Sequence, residues 1–231
     1  MSVSAHSRRE HLLGAGFAFI AGFVDALAFM FLGGVFLSFM SGNVTRIAAS
    51  AVSGDWEMVR LAASCVVLFL LGVMEGALVR RLAALRVRPA WVQNVVVLNV
   101  ALLFVSSSFT LLLGAPAVAV RVASLGIGAM NSIFEKRGEV SIALTYMTGT
   151  LVKMGQRFVD TFFGGAHQAW MQHFLIAFSL GSGALVGGFA YAWLGLNALY
   201  VATVMILAMS TFTLLWRLRG ESVLRIEVAP Y

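Results

Sequence analysis

Ser38-Phe39-Met40-Ser41-Gly42-Asn43-Val44-Thr45-Arg46 returns 107 residues later as Thr145-Tyr146-Met147-Thr148-Gly149-Thr150-Leu151-Val152-Lys153. Hydroxyl stands for hydroxyl, aromatic for aromatic and base for base. Only Asn43 against Thr150 and Thr45 against Val152 change chemical type. The same offset sets Gly76-Ala77-Leu78-Val79 against Gly183-Ala184-Leu185-Val186 with no gap between the two matches. Upstream, Gly22-Phe23-Val24-Asp25 aligns with Gly128-Ala129-Met130-Asn131 at an offset of 106, so one residue is inserted between. A four-residue match in an apolar chain is chance. A polar nine-residue block with a second match in its register indicates an internal repeat.

The composition around these blocks names the solvent. Of 231 residues, 60% are hydrophobic and only 11% charged, with a mean hydropathy of +0.92. A soluble domain is about half apolar and a quarter charged, so lipid must face much of this chain. The net charge of +6 suggests nucleic acid in a soluble protein. Here the basic residues fall between apolar runs, and no Lys/Arg run interleaved with aromatics marks a nucleic-acid surface. The single cysteine, Cys65, excludes an internal disulfide and a cysteine-based metal cluster. Arg8 and Arg9 before an apolar stretch imitate a signal peptide, but the small-residue cleavage pattern is poor. The stretch reads as a first spanning helix.

A span needs about 20 apolar residues. Six segments qualify: 12–31, 61–79, 95–113, 115–134, 174–194 and 198–216. Arg8 and Arg9, then Arg80, Arg81, Arg86 and Arg88, then Lys136, Arg137, Lys153 and Arg157, and finally Arg217, Arg219 and Arg225 all fall on one side of a six-span chain. By the positive-inside rule that side is the cytoplasm. The expected place is a bacterial inner membrane, with both termini cytoplasmic. The weakest link is the one after span one, where Arg46 and Arg60 lie on the opposite side. Segments 35–51 and 140–154 are apolar enough to cross as well, but two more crossings would carry Arg80–Arg88 outside. They are expected to dip in and return, as re-entrant or broken helices.

The repeat therefore divides the chain into residues 1–113 and 114–231, with three spans in each. An odd number of spans turns the second copy upside down. The expected fold is an all-α membrane protein of six transmembrane helices, arranged as two inverted three-helix repeats, each with a re-entrant or broken helix. Secondary transporters are often built this way, with the solute near the midplane.

The candidate binding residues follow from the repeat. In Ser41-Gly42-Asn43 and Thr148-Gly149-Thr150, glycine frees the backbone and the polar side chains can cap a restarting helix. Two inverted breaks would aim helix N-termini at a polar or anionic solute. The alternative is hydroxyl back-bonding and close glycine packing in ordinary helices. Asp25, within the first span, costs roughly 2.5–3.5 kcal/mol there unless paired, protonated or wet. Its partner Asn131 is polar but cannot ionise. Such asymmetry suits proton or cation coupling; a structural hydrogen bond is the alternative. Arg46 and Lys153, equivalent in the repeat, either ligate an anion, pair with Asp25 or snorkel toward headgroups. Glu75 is expected to pair with Arg80 or Arg81. Residues 135–139 read as a solvated turn. His167 and His173 have no zinc spacing and, with Trp170, fit an interfacial aromatic belt. Gly72/Gly76 and Gly183/Gly187 fit close helix contacts, within the chain or between subunits.

Gly22-Phe23-Val24-Asp25-Ala26, the block from Ser38 to Arg46, and the second-half residues Met130-Asn131 and Thr145 to Leu151 resemble the signature of the YoaK-like family. The resemblance covers roughly residues 14–217. It implies a bacterial integral membrane protein with several spans, grouped as a domain of unknown function, and supplies no substrate.

Four functions compete at this point. A secondary transporter follows from the repeat, the paired breaks and the lone intramembrane acid. A passive channel would join two re-entrant loops in a continuous pore. A membrane enzyme lacks a metal-ligand cluster, a serine–histidine–acid set and a nucleotide loop, so no catalytic residue, metal or cofactor is expected. A scaffold or sensor lacks a signalling domain at either terminus. The expected partners are a small solute, the lipid bilayer and, in a homo-oligomer, further copies of the chain.

Overall fold

Eight helices carry the chain in a computed structural model that describes residues 2–136, 139–140, 142 and 144–218. They are α1 (Ser2–Phe31), α2 (Met40–Ser53), α3 (Trp56–Arg86), α4 (Val92–Leu112), α5 (Pro116–Met130), α6 (Met147–Asp160), α7 (His167–Leu194) and α8 (Ala198–Leu218). A two-stranded antiparallel ribbon, β1 (Glu135–Lys136) and β2 (Glu139–Val140), stands where the sequence reads as a turn. Arg137, Arg219 and Arg225, used above for orientation, lie outside the described residues, as do the side chains of Arg8 and Arg9.

Among the described residues five stretches are long and apolar enough to cross a membrane: Glu10–Phe31, Trp56–Arg86, Pro89–Leu112, Pro116–Phe134 and Trp170–Leu218. The last contains both α7 and α8, which part at Gly195, where φ is +57°. Each junction has its local cause. Gly54 closes α2 in the left-handed conformation (φ +78°), and Asp55 then caps α3 by accepting the amide of Met58 at 3.0 Å. Gly114 (φ +78°) turns the chain between α4 and α5, and Pro116 opens α5 where its missing N–H is harmless.

α2 and α6 belong to a different class. Each has 14 residues, about 21 Å at 1.5 Å per residue, against a hydrocarbon layer of about 30 Å. They occupy the segments expected to dip rather than cross. Each follows an interruption of regular helix, at 32–39 before α2 and, among the described residues, at 135–136, 139–140, 142 and 144–146 before α6.

Burial puts α1 and α5 at the centre: the apolar windows of these helices are 72% and 67% buried, whereas that of α3 is 22% buried. Phe17, Phe23, Leu27, Ile127 and Met130 fill that centre, with Phe104 of α4. α1 packs chiefly on α7, and α3 on α5; α2 lies on α3, α6 on α7, and α4 bridges α5 and α8. The two halves of the sequence are thus interleaved. Glycine makes both main seams. A Cβ on Gly22 would come 2.0 Å from the Leu180 carbonyl oxygen, and one on Gly128 2.2 Å from that of Phe69. From the facing helices, Gly183 and Gly187 meet the backbone of Phe19 and Phe23, while Gly72 and Gly76 meet that of Leu125 and Ala129.

These contacts correct the sequence alignment. Phe19 to Leu125 and Phe23 to Ala129 keep the offset of 106, but Gly72 to Gly183 and Gly76 to Gly187 are 111 apart. The gapless match of 76–79 with 183–186 is therefore not the one made in space. The extra residues enter in the link 161–166, which replaces the two-residue link Gly54-Asp55. They displace the helix that follows by four positions, about one turn.

Short hydroxyl bonds tie the remaining helices. Ser124 Oγ donates to the Cys65 carbonyl at 3.0 Å and Ser107 Oγ to that of Ala119 at 2.7 Å; Ser108 and Thr203 hydroxyls meet at 2.7 Å. Glu75 departs from expectation. Its carboxylate accepts from Asn99 Nδ2 at 3.0 Å on α4. Arg80 turns the other way, donating to the carbonyls of Ser132 (3.2 Å) and Glu135 (2.6 Å). Inside a bilayer these satisfied carbonyls are what lets α5 end before the ribbon.

Candidate functional site

Asp25 lies six residues before the end of α1 and is 8% exposed. Its carboxylate faces the interruption between α1 and α2 and holds it. Oδ1 accepts the backbone amides of Leu37 at 2.6 Å and Ser38 at 2.9 Å, and Oδ2 accepts the Ser38 hydroxyl at 2.8 Å. An ionised acceptor makes such bonds roughly twice as strong as neutral ones. They satisfy amides that no helix reaches. One residue class thus does two jobs: it meets the cost of non-helical backbone at membrane depth, and it fixes where α2 starts.

Asn43 completes the turn from the other side. It is fully buried, accepts the Phe36 amide at 2.9 Å and donates to the Phe36 carbonyl at 2.7 Å. A side-chain amide here replaces a neighbouring strand. Arg46 donates through Nη2 to the Gly33 carbonyl at 2.6 Å, on a backbone made permissive by Gly33 (φ +67°) and Gly34 (φ +103°). Arg46 therefore clasps the turn and does not reach Asp25. Ser41 lends only its carbonyl, which accepts from Thr45 Oγ1 at 3.1 Å.

The second interruption is built from the same parts with weaker chemistry. Asn131 takes the place of Asp25. Its Oδ1 accepts the Thr145 hydroxyl at 3.1 Å, while Nδ2 donates back to the carbonyls of Ile127 (3.1 Å) and Gly128 (3.4 Å). Thr150, buried, returns its hydroxyl to the Tyr146 carbonyl at 3.0 Å. Thr148 and Lys153 are exposed, and Lys153 stands within electrostatic reach of His173, as do His11 and Arg157.

The candidate residues thus form two groups. Asp25, Asn43 and Arg46 come together around residues 33–38; Asn131 and Thr150 converge around 145–146. Gly42 and Gly149 each face an aromatic ring of their own segment, that of Phe39 or Tyr146, and α2 and α6 take their principal contacts from different helices, α3 and α7. Three contributors escaped sequence reasoning. Ser38 and Thr145 are the hydroxyls that the two pins hold, and the signal was present in their matched positions. Arg121, inside α5, donates from Nε to Ser64 Oγ at 3.3 Å; a lone base within an apolar run was the signal there.

The family model described as "Protein of unknown function (DUF1275)" matches residues 13–212. A relative in Rhizobium meliloti (strain 1021), UPF0700 transmembrane protein RA0705, is 30% identical over 199 residues, covering 85% of this chain and 82% of that protein. No solved structure matches. With the pinned turns and apolar stretches, these likenesses place the chain: it belongs to the DUF1275 (UPF0700, YoaK-like) family and is a multi-pass transmembrane protein.

Proposed function

We propose that the protein is a secondary transporter for a small polar or anionic solute, coupled to protons or another cation. In this reading six helices cross the membrane as two inverted repeats, α1–α4 and α5–α8, and α2 and α6 are the half-length members. Both termini lie in the cytoplasm of a bacterial cell. The observation that carries the reading is the pair of pinned interruptions: Asp25 on Ser38 in one half, Asn131 on Thr145 in the other. The matching glycine seams support the repeat, at the corrected offset of 111 in α3 and α7.

The seams define two bodies, α1 with α6 and α7, and α3 with α2 and α5. Both interruptions lead from one body to the other, the first from α1 to α2 and the second from α5 to α6. Rocking of one against the other would expose a central site alternately. Asp25 supplies the coupling. Protonation weakens an acceptor of three hydrogen bonds, which frees Leu37 and Ser38. Asn131 cannot respond in this way, so a single gate senses the ion.

The test begins with thermal shifts of the purified protein across a library of small carboxylates, phosphates and polyols. Hits then go to uptake assays in proteoliposomes under an imposed proton gradient. Asp25→Asn is expected to abolish gradient-driven uptake and keep the fold, since the second half already holds its turn with an asparagine. Undiminished driven uptake by that variant would remove Asp25 from the mechanism. A steady solute current with no coupling would favour the channel.

A further inference from the structure

At the end of the bundle where α4 begins and α8 stops, two polar side chains are buried and unsatisfied. Arg217, in the last turn of α8, keeps 8% of its surface, and its Nε and Nη1 have no hydrogen-bond partner. Asn94, in the first turn of α4, keeps 9%, and neither its Oδ1 nor its Nδ2 has a partner. α4 packs on α8, and the guanidinium carbon of Arg217 stands 5.9 Å from the centre of the Trp91 ring. Asn94 follows Trp91 by three residues, about one turn, which puts both on one side of the helix. α4 and α8 cross antiparallel, Ser108 meeting Thr203; Asn94 lies 14 residues before Ser108 and Arg217 14 after Thr203, so both orphaned side chains belong to one end of that seam.

Arginine stays ionised in proteins, and a buried charge without a partner costs several kcal/mol. A ring face returns about 2 kcal/mol at most. No carboxylate pairs with Arg217 among the described residues. Arg217 Nε and Nη1 and Asn94 Nδ2 ask for the oxygens of an anion. Asn94 Oδ1 asks for one donor beside them.

We propose that this corner binds a phosphate-bearing anion that also carries a hydroxyl or ammonium donor, the chemistry of a glycerophospholipid headgroup. Arg217 and Asn94 Nδ2 take the phosphate oxygens, and the headgroup donor meets Asn94 Oδ1. Trp91 is the amphipathic ring that membrane interfaces favour.

The experiment uses the full chain in neutral detergent, stripped of lipid. Phosphatidylglycerol, phosphatidylcholine and inorganic phosphate are each titrated while thermal unfolding is followed, and native mass spectrometry counts retained phospholipid. Phosphatidylglycerol is expected to stabilise the protein and to stay bound as one molecule. Phosphatidylcholine, whose headgroup has no donor, should bind at least about tenfold more weakly. Inorganic phosphate acting as well as the lipid supports the site with a free anion as its occupant. Arg217→Met should lose both the retained lipid and the thermal response. Asn94→Asp sets a carboxylate beside the guanidinium, so it should keep the fold, raise stability without lipid and abolish the response. Wild-type protein indifferent to all three additives, equal retention of the two lipids, or variants that respond as wild type does would overturn the proposal.

Discussion

Asp25 and Asn131 differ by one functional group, and that difference separates the two halves chemically. The carboxylate accepts three hydrogen bonds at 2.6–2.9 Å; the amide accepts one and spends its donors on its own helix. The glycines show the opposite behaviour, with one chemistry doing equal work in both halves. Gly22→Ala would drive a methyl group to 2.0 Å from the Leu180 oxygen. Backbone cannot move aside as a side chain does, so the variant should lose about 2 kcal/mol or more, read as a lower unfolding temperature. Gly181→Ala, in α7 with nothing within 4 Å, should be neutral or gain up to about 1 kcal/mol of helix propensity. Equal effects of the two would mean that α1 and α7 do not meet as described. At this scale the sequence is half legible. The four-residue spacing announces that a glycine faces a helix, but which carbonyl it meets depends on residues far away in the chain, from Leu125 for Gly72 to Leu180 for Gly22.

The half-length helices show how elements of the same length come to rest on different supports. α6 has a polar side bearing Lys153, Gln156, Arg157 and Asp160, and exposes Leu151, Val152, Phe158 and Val159. Phe158 meets Phe162 and Trp170 edge-on, at 5.4 Å in each case, and Trp170 continues through Phe174 to Phe178 along α7. The aromatic belt inferred for Trp170 is thus a ladder joining two helices. Phe158→Ala removes two ring contacts worth about 0.5–1.5 kcal/mol each. Amides of 147–160 should then exchange faster with deuterium while those of α1 keep their rate; unchanged exchange across α6 would show that the ladder carries no load. The positions of α2 and α6 were legible because glycine, hydroxyls and short apolar length coincide in the repeated block. The register of the helices after them was not. Four common residues such as 76–79 match an apolar chain at several offsets, and a loop insertion leaves no hydrophobic period to count. Glu75 departs from expectation for a related reason: helix spacing proposes Arg80 or Arg81, while the Asn99 amide reaches it from another helix.

Over the whole molecule, inversion makes a directional claim. α2 and α6 should lie at opposite faces of the membrane, with the end of α2 outside and that of α6 inside. In a Cys65→Ala background, Ser53→Cys should react with an impermeant maleimide added to intact cells. Asp160→Cys should react only after the cells are opened. Labelling of both from one side would end the inverted arrangement while leaving the family and the spans untouched. That the chain spans the membrane several times was readable from composition, because lipid demands an apolar stretch of every span alike. The interleaving was not, since no local pattern states that α1 rests on α7. That interleaving has a consequence for biosynthesis. α1 leaves the ribosome well before the helix that covers Gly22, which begins at His167. While α2 to α6 are being made, that span must wait among lipids with its glycine face bare, and the seam closes only when α7 has arrived.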